Sequence, residues 1–508
     1  MKKIIKISMV GRIPTVTGIR KVAGIKKVIV AVLMTSVASS LLVSCTKNIT
    51  SLNNNPKASL SAPSASVFVA GEKALVDLYT TEFWGSAPFR VVAQVWSENT
   101  FAVESNYKFA TNNAPGGWWT NIYTNALSNL AQAKSLYSTD VQDPDVLRND
   151  LIVTDILEVY AYSLLVNTYG NIPYSQALNR TIPFPKYDDA KTVEYDLLQR
   201  LDTAIAGLNT SAGSLGSADQ FYHGNTAQWK KFAATLKLKL ALLIADTDPT
   251  TGATKAQEAI ATGVFQSNAD NAVFDYDPSA VVNSNPLWQD LVNGANLHYY
   301  SPSSYFINTL VSWNDPRLPL LFTKDPNNQY SGGIAGGGNS STQLSSFSAQ
   351  WLSAGFPGDL LDYSETSFLL AEATERGIST GSTAEIYYDS AVSASIQYWG
   401  GSYSDVLAYL SQPAVAYSTA TGTWRQKIGY QKWIAFANRN WDSWTEIRRL
   451  GYPDINTVSP PVAAITAFPL RFYYPPAEQT SNNKNWAAAV AALPGGADVV
   501  TAKLFWQP

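Results

Sequence analysis

The residues that most enzymatic chemistry needs are scarce in this chain. Its 508 residues include one cysteine, Cys45, and two histidines, His223 and His298. No disulfide can form within the chain, and a zinc site of Cys and His ligands is too poor in ligands unless carboxylates complete it. No Gly-x-Ser-x-Gly turn stands near either histidine, so Ser-His-Asp chemistry has no frame. The run Gly336-Gly337-Gly338 lacks the Lys-Ser/Thr of a phosphate-binding loop. No aspartate-rich loop points to calcium. Charge is scarce as well: Asp, Glu, Lys and Arg make up 15% of the chain, against roughly 25% in ordinary domains. The wet surface must rest on Asn, Ser, Thr, Gln and Tyr, which bind neutral polar ligands without a counter-charge. What the chain has in quantity is hydrophobic (46%) and aromatic (12%) material, including 15 Trp and 27 Tyr. That is the composition of a packed globular protein inclined to a neutral ligand.

The first 44 residues carry eight Lys and Arg and no acid, and residues 28–43 form an apolar run. A basic start followed by such a run has the layout of an export signal. The run is short of the roughly 20 residues a spanning helix needs. It ends in Leu41-Leu42-Val43-Ser44-Cys45, which resembles a bacterial lipobox, so residues 1–44 are predicted to be a lipoprotein signal peptide and Cys45 the lipidated first residue of the mature protein. Residues 45–66 are polar and turn-rich and read as a tether, with the folded body over 67–508. Without the leader, 28 Lys and Arg remain against 39 Asp and Glu. Such an acidic body lacks the basic footprint by which proteins hold nucleic acid.

The body reads as mainly helical. Ile152, Ile156, Val159, Tyr160, Ser163 and Val166 fall on one buried helix face, stopped by Gly170 and Pro173. Trp229, Phe232, Ala233, Leu236, Leu240 and Leu243 repeat the pattern after a cap at Asn225 with Gln228. There, Lys230, Lys231, Lys237 and Lys239 are placed mostly on the wet side. Two helices about residues 364–376 and 387–398, joined by a Gly/Ser/Thr turn, make a hairpin of tetratricopeptide size, though no clean 34-residue period is present. A single helix is expected over residues 427–450, with Trp433, Trp441 and Trp444 in its core face. Residues 331–348 read as a flexible surface loop and 468–476 as an extended aromatic segment.

Several segments in order resemble one family. They are Leu52-Asn53-Asn54-Asn55-Pro56; Tyr169-Gly170-Asn171-Ile172-Pro173-Tyr174-Ser175-Gln176-Ala177; Trp229-Lys230-Lys231-Phe232-Ala233; Asn314-Asp315-Pro316-Arg317; Gln431-Lys432-Trp433; Glu446-Ile447-Arg448-Arg449-Leu450-Gly451-Tyr452-Pro453; and Arg471-Phe472-Tyr473-Tyr474-Pro475. Together they resemble the SusD/RagB-like outer-membrane lipoproteins of Bacteroidetes, in particular the second SusD-like subgroup. The resemblance implies an all-α fold of tetratricopeptide-like helix pairs with a looped, variable ligand-binding part. It also implies a partner, a SusC-like TonB-dependent transporter in the outer membrane, over whose mouth the lipoprotein sits as a hinged lid facing the cell exterior. The nutrient implied is an oligosaccharide, with peptide uptake a variant. Asn171 and Gln176 depart from the family, which usually carries acids there.

Aromatic faces and neutral hydrogen-bonding groups are what a sugar requires. Aromatics in turn-rich segments are the candidates: Trp84, Trp96, Tyr107, Trp118 and Trp119 early, and Trp288, Tyr299, Tyr300 and Tyr305 later, with Asn99, Asn106 and Asn112 as hydroxyl binders. For Trp118, after Gly116-Gly117, a helix start that packs its indole inward is an equal reading. No cofactor and no metal is expected. A secreted glycan-active enzyme is the competing class; Glu98 with Glu104, or Asp359 with Asp362, would then be its acids, although all four read as solvated loop or helix-end residues. A purely adhesive surface protein is a third reading. Cys45→Ala is expected to release the protein from the membrane fraction into the soluble one; an unchanged membrane fraction removes the lipid-anchor reading.

Overall fold

The computed structural model describes residues 62–455 and 467–508, so Cys45 and the signal and tether up to residue 61 lie outside the described residues. Pro63–Pro508 form one compact unit, whose first helix begins at Ser64, inside the segment read as tether. Regular structure is 55% helix and 4% strand. In chain order the helices are α1 (Ser64–Thr80), α2 (Phe89–Val92), α3 (Ala114–Thr120), then α4 (Ser128–Asp140), joined to α3 by a π-helical stretch, Asn121–Leu127. They continue with α5 (Pro144–Tyr169), α6 (Ala190–Gly207), α7 (Thr226–Leu243), α8 (Pro249–Thr262), α9 (Ser304–Ser312) and α10 (Leu318–Leu321). The rest are α11 (Tyr363–Glu375), α12 (Ala384–Tyr398), α13 (Tyr403–Leu410), α14 (Trp424–Ala435), α15 (Asn440–Leu450), α16 (Pro476–Ser481) and α17 (Asn483–Ala491).

Side-chain caps set where these helices begin. Asp143 accepts from the amides of Asp145 and Val146 ahead of α5, and Asn225 accepts from those of Ala227 and Gln228 ahead of α7. Each cap satisfies amides that the first turn leaves free. At its other end α5 stops at Gly170, whose φ of +89° is costly for any other residue. α5 is 26 residues long and apolar enough to cross a membrane, yet most of it is buried inside the protein. It packs against α4, α6 and α7, and the scaffold is built of tetratricopeptide-like pairs, α1 with α4, α5 with α6, α7 with α8 and α11 with α12.

Three two-stranded antiparallel ladders hold the irregular segments. β1 (Trp96–Glu98) pairs with β5 (Tyr300–Pro302), β2 (Ile172–Pro173) with β3 (Tyr187–Asp188), and β4 (Val273–Phe274) with β6 (Gly358–Asp359). A large hydrophobic core fills the helix pairs, a second underlies residues 287–356, and a third lies between α11, α12 and α13. The aromatics in helical register belong to these cores: Trp229, Trp433, Trp441 and Trp444 are each buried.

Three expectations need correction. Lys237 and Lys239 are buried, not wet: Lys237 lies 2.6 Å from Glu258, and Lys239 lies 2.5 Å from Asp442 and 3.1 Å from Glu365. The helix expected over 427–450 is two, α14 and α15, broken at Phe436–Asn438 and Arg439. Arg439 leaves helical geometry (φ −113°, ψ 85°) and pairs with Glu365 at 2.5 Å and Asp442 at 3.2 Å, so ion pairing in the interior overrides local helix propensity. Residues 331–348 carry little regular structure but are anchored. The Gly333 amide donates to the Pro302 carbonyl at 2.8 Å, and a Cβ on Gly333 would lie 2.3 Å from Ser97 Oγ.

The family motifs meet one another here. Arg471 donates to the Tyr169 carbonyl at 3.0 and 3.1 Å, and Arg448 donates to the carbonyls of Asn167 and Leu470. Arg317 is fully buried on Asp315 and reaches Gln431 Oε1 at 2.8 Å. The neutral Asn171 and Gln176 accept backbone amides of Ala190 and Lys186 at 2.9 Å each, a task that needs no charge.

Arg449 sits 2.5 Å from Glu372 and 2.6 Å from Glu446, all three buried. Arg449→Met leaves Glu372 with Arg376 alone and Glu446 with Lys432 alone, and is expected to cost about 3 kcal/mol in urea unfolding; a loss below about 1 kcal/mol rejects this role. Glu194 is fully buried against Asn167, and burial pushes its carboxyl up to about 8. A raised carboxyl gives stability that is complete below its unfolded value, about 4.3, and is lost as pH rises through the folded value. Glu194→Gln is therefore expected to gain about 1 kcal/mol or more at pH 8 relative to pH 5 in thermal melts, and an equal effect at both pH values contradicts it.

Candidate functional site

The β1·β5 ladder is what builds the site. Its register sets Glu98 opposite Tyr300, and the Asn99 amide donates to the Tyr299 carbonyl at 2.7 Å. Two segments some 200 residues apart in sequence are thereby held edge to edge. Trp84 arrives from the turn after α1. That turn is fixed because Glu82 accepts the amides of Arg90 and Val91, while its own carbonyl takes the Tyr300 hydroxyl at 3.0 Å. It also lies close against α3: a Cβ on Gly117 would fall 1.8 Å from the Gly85 carbonyl oxygen, so Gly117 serves backbone approach.

Between these parts opens a cavity of about 340 Å³, a size ordinary for small-ligand sites. Trp84, Phe101, Tyr299 and Tyr300 wall it, with Thr100, Thr111 and Asn112 as neutral polar groups and Glu98 and Glu104 as acids. Trp84 meets Tyr299 edge-on at 6.0 Å, Phe101 lies 6.1 Å from Tyr299, and Phe83 lies 5.2 Å from Trp84. Phe101 is 77% exposed and Phe83 42%. Phe101 also holds a positive φ of 56°, uncommon and costly for a bulky residue.

Glu98 and Glu104 are buried, which corrects their reading as solvated acids. Glu98 accepts from the Ser105 amide and hydroxyl at 3.0 and 2.6 Å, and Glu104 accepts from Asn112 Nδ2 at 2.9 Å. Burial, and then the Glu98 charge beside it, push the Glu104 carboxyl well above the usual range. Burial raises the Glu98 carboxyl as well, so the pair resists carrying two charges side by side. Asp359 and Asp362 are buried as well: Asp359 accepts the Tyr398 hydroxyl at 2.5 Å, and Asp362 caps α11. Among the described residues no three His, Cys, Asp or Glu side chains converge as metal ligands.

Of the residues singled out by sequence, Trp84, Tyr299, Tyr300 and Asn112 come together at this cavity. Trp96 and Trp118 are fully buried and present no face to solvent, because Trp96 packs on Phe347 and Trp351 while Trp118 packs on Phe89. Tyr107 is buried between Phe109 and Phe468. Trp119 is also buried and edges a different, smaller cavity with Tyr123. Asn99 and Asn106 are buried and structural: Asn99 donates to the His298 carbonyl, and Asn106 to the carbonyls of Ala102 and Gly336. Trp288 is half-buried at the start of a π-helical turn, outside the cavity wall, and Tyr305 lines another cavity. The sequence reading missed Phe83 and Phe101. They obey the same rule as Trp84, aromatic in a turn-rich segment, once phenylalanine is counted with Trp and Tyr.

A family model described as starch-binding and associating with the outer membrane, SusD-like_2, matches residues 56–475. Among solved structures, a chitin-binding protein is 27% identical, with a TM-score of 0.75 over 87% of this chain and 99% of that one. A SusD homolog from Bacteroides uniformis is 26% identical, with a TM-score of 0.74 over 88% and 98% of the two chains. A chitin-binding SusD homolog from Flavobacterium johnsoniae, 23% identical, shares the fold with a TM-score of 0.75 over 87% and 98%. No curated protein matches. The chain belongs to the SusD-like family, whose members are described as starch-binding and associated with the outer membrane.

Proposed function

We propose that the protein is a non-catalytic glycan-binding subunit of an outer-membrane uptake system. It captures an oligosaccharide at the cavity walled by Trp84, Phe101 and Tyr299 and delivers it to a SusC-like TonB-dependent transporter. The observation that carries this reading is the exposed, strained Phe101 facing Tyr299 and Trp84 across a cavity with neutral polar groups at its edge. Flat rings suit the C–H faces of sugar rings, while Asn112 and Thr111 suit hydroxyls as donor and acceptor. The chitin named for the 27%-identical structure and the starch named for the family support a neutral hexose polymer as ligand.

The apolar side chains left exposed near the cavity, Phe83, Phe101 and Ile334, suit a surface that a partner covers on closure. Lipid at Cys45 tethers the protein to the outer membrane on its exterior face. Gating then follows from differential affinity: a glycan touching both lid and barrel favours the closed state by as much as its extra contacts there are worth.

Trp84→Ala and Tyr299→Ala are each expected to weaken retention in native gels containing soluble starch or glycol chitin about tenfold, with thermal melting little changed. Equal retention for both variants rejects the site. Gentle detergent extraction is expected to bring down a TonB-dependent barrel with the protein, and its absence rejects the uptake role.

A further inference from the structure

A second and larger cavity, of about 550 Å³, lies against the other end of the same strand-to-helix segment. Tyr305 and Thr309 of α9, Trp313 just beyond it, Tyr430 of α14 and the exposed Thr421 in the loop before α14 line it. Its chemistry is that of the first cavity without the acids. The Tyr305 and Tyr430 hydroxyls bond each other at 2.9 Å, and Trp313 meets Tyr430 edge-on at 5.5 Å, so the rings are locked before any ligand arrives. No carboxylate lines the space. The only charged group lining it is Lys427, whose ammonium donates to the Tyr417 carbonyl at 2.7 Å and lies 5.0 Å from the Tyr417 ring. A cationic occupant finds no counter-charge and an anionic one only an ammonium already turned to the Tyr417 carbonyl and ring, whereas an uncharged molecule with apolar faces and many hydroxyls finds rings, threonines and an amide.

We infer that this cavity is a second binding site for an uncharged glycan. The inference rests on the glycan reading above for its choice of ligand, but on different residues. Tyr299 of the first site and Tyr305 of the second are six residues apart, so their Cα atoms lie within about 20 Å even along a fully extended chain. One glycan chain of several units can occupy both sites, the second contact gaining from the high effective concentration set by the first.

The test compares the hexamers and dimers of N-acetylglucosamine and of glucose by calorimetry, using the wild type, Trp84→Ala, Trp313→Ala and Thr421→Trp. The last fills the mouth from an exposed loop position and leaves the packing beneath untouched. Trp313→Ala and Thr421→Trp are each expected to weaken hexamer binding at least fivefold while dimer binding at the first site stays within twofold. If both leave hexamer affinity unchanged while Trp84→Ala weakens it, the second site is overturned and the first stands. If Trp84→Ala is neutral and the other two abolish binding, the first site falls and the second is the principal one. A wild type that binds neither series overturns both.

Discussion

A buried ion network centred on α15 governs the architecture. Arg439, Asp442, Glu446 and Arg449 come from α15 and the residue ahead of it, and they meet Lys239 of α7, Glu365 and Glu372 of α11, and Lys432 of α14. Ions removed from water cost several kcal/mol each unless a partner is held in good geometry, so every element that supplies one of these groups is fixed relative to the rest. Burial pushes the Glu446 carboxyl up, but the charges of Arg449 and Lys432 prevail and hold it down to about 2, which keeps it ionised at neutral pH. Hydrophobic burial supplies the bulk of the folding free energy and is indifferent to direction. The network supplies the direction, locking the tetratricopeptide-like pairs to the irregular part that carries the cavity.

The cavity depends on that lock through one chain of contacts. Arg90 donates to the carbonyls of Ala437 and Asn438, beside the break between α14 and α15, and its own amide and that of Val91 hold Glu82. Glu82 in turn takes the Tyr300 hydroxyl through its carbonyl. The turn bearing Trp84 and the strand bearing Tyr299 and Tyr300 are thus referred back to the ion network in two steps. A shallow site on irregular segments needs such support, since its walls have few regular backbone hydrogen bonds of their own.

Periodicity made the scaffold legible. Ile156, Val159 and Tyr160 on α5, and Trp229, Phe232 and Leu236 on α7, are buried as their spacing requires. The recognisable motifs proved to be one another's partners: Arg448 and Arg471 hold the carbonyls of Asn167 and Tyr169, and neither lines the two cavities described above. Sequence spacing failed where the interior reversed a local preference, at Lys237, Lys239 and Arg439, because a cation on the expected wet face says nothing of the acid that another helix brings to it. The site was half legible. Trp84 and Tyr299 followed from being aromatic in turns, but Trp96 and Trp118 followed the same rule and are core, since whether a loop aromatic faces in or out depends on strands and helices far away in the chain. The burial of Glu98 and Glu104 was hidden for the same reason.

The ladder between Trp96–Glu98 and Tyr300–Pro302 has a consequence for how the molecule comes together. Six residues close a loop of about 200, and the entropy of that closure must be met before either wall of the cavity has a counterpart. The intervening α4 to α8 pack chiefly on α1 and on each other, so they are able to organise while the later strand is still being made. The segment with Trp84 and Phe101 therefore waits, aromatic and unpaired, until synthesis passes residue 300. In a chain made from its N-terminus, this cavity gains its second wall only after some 200 residues have followed Phe101, and until then its rings stand without the strand they face.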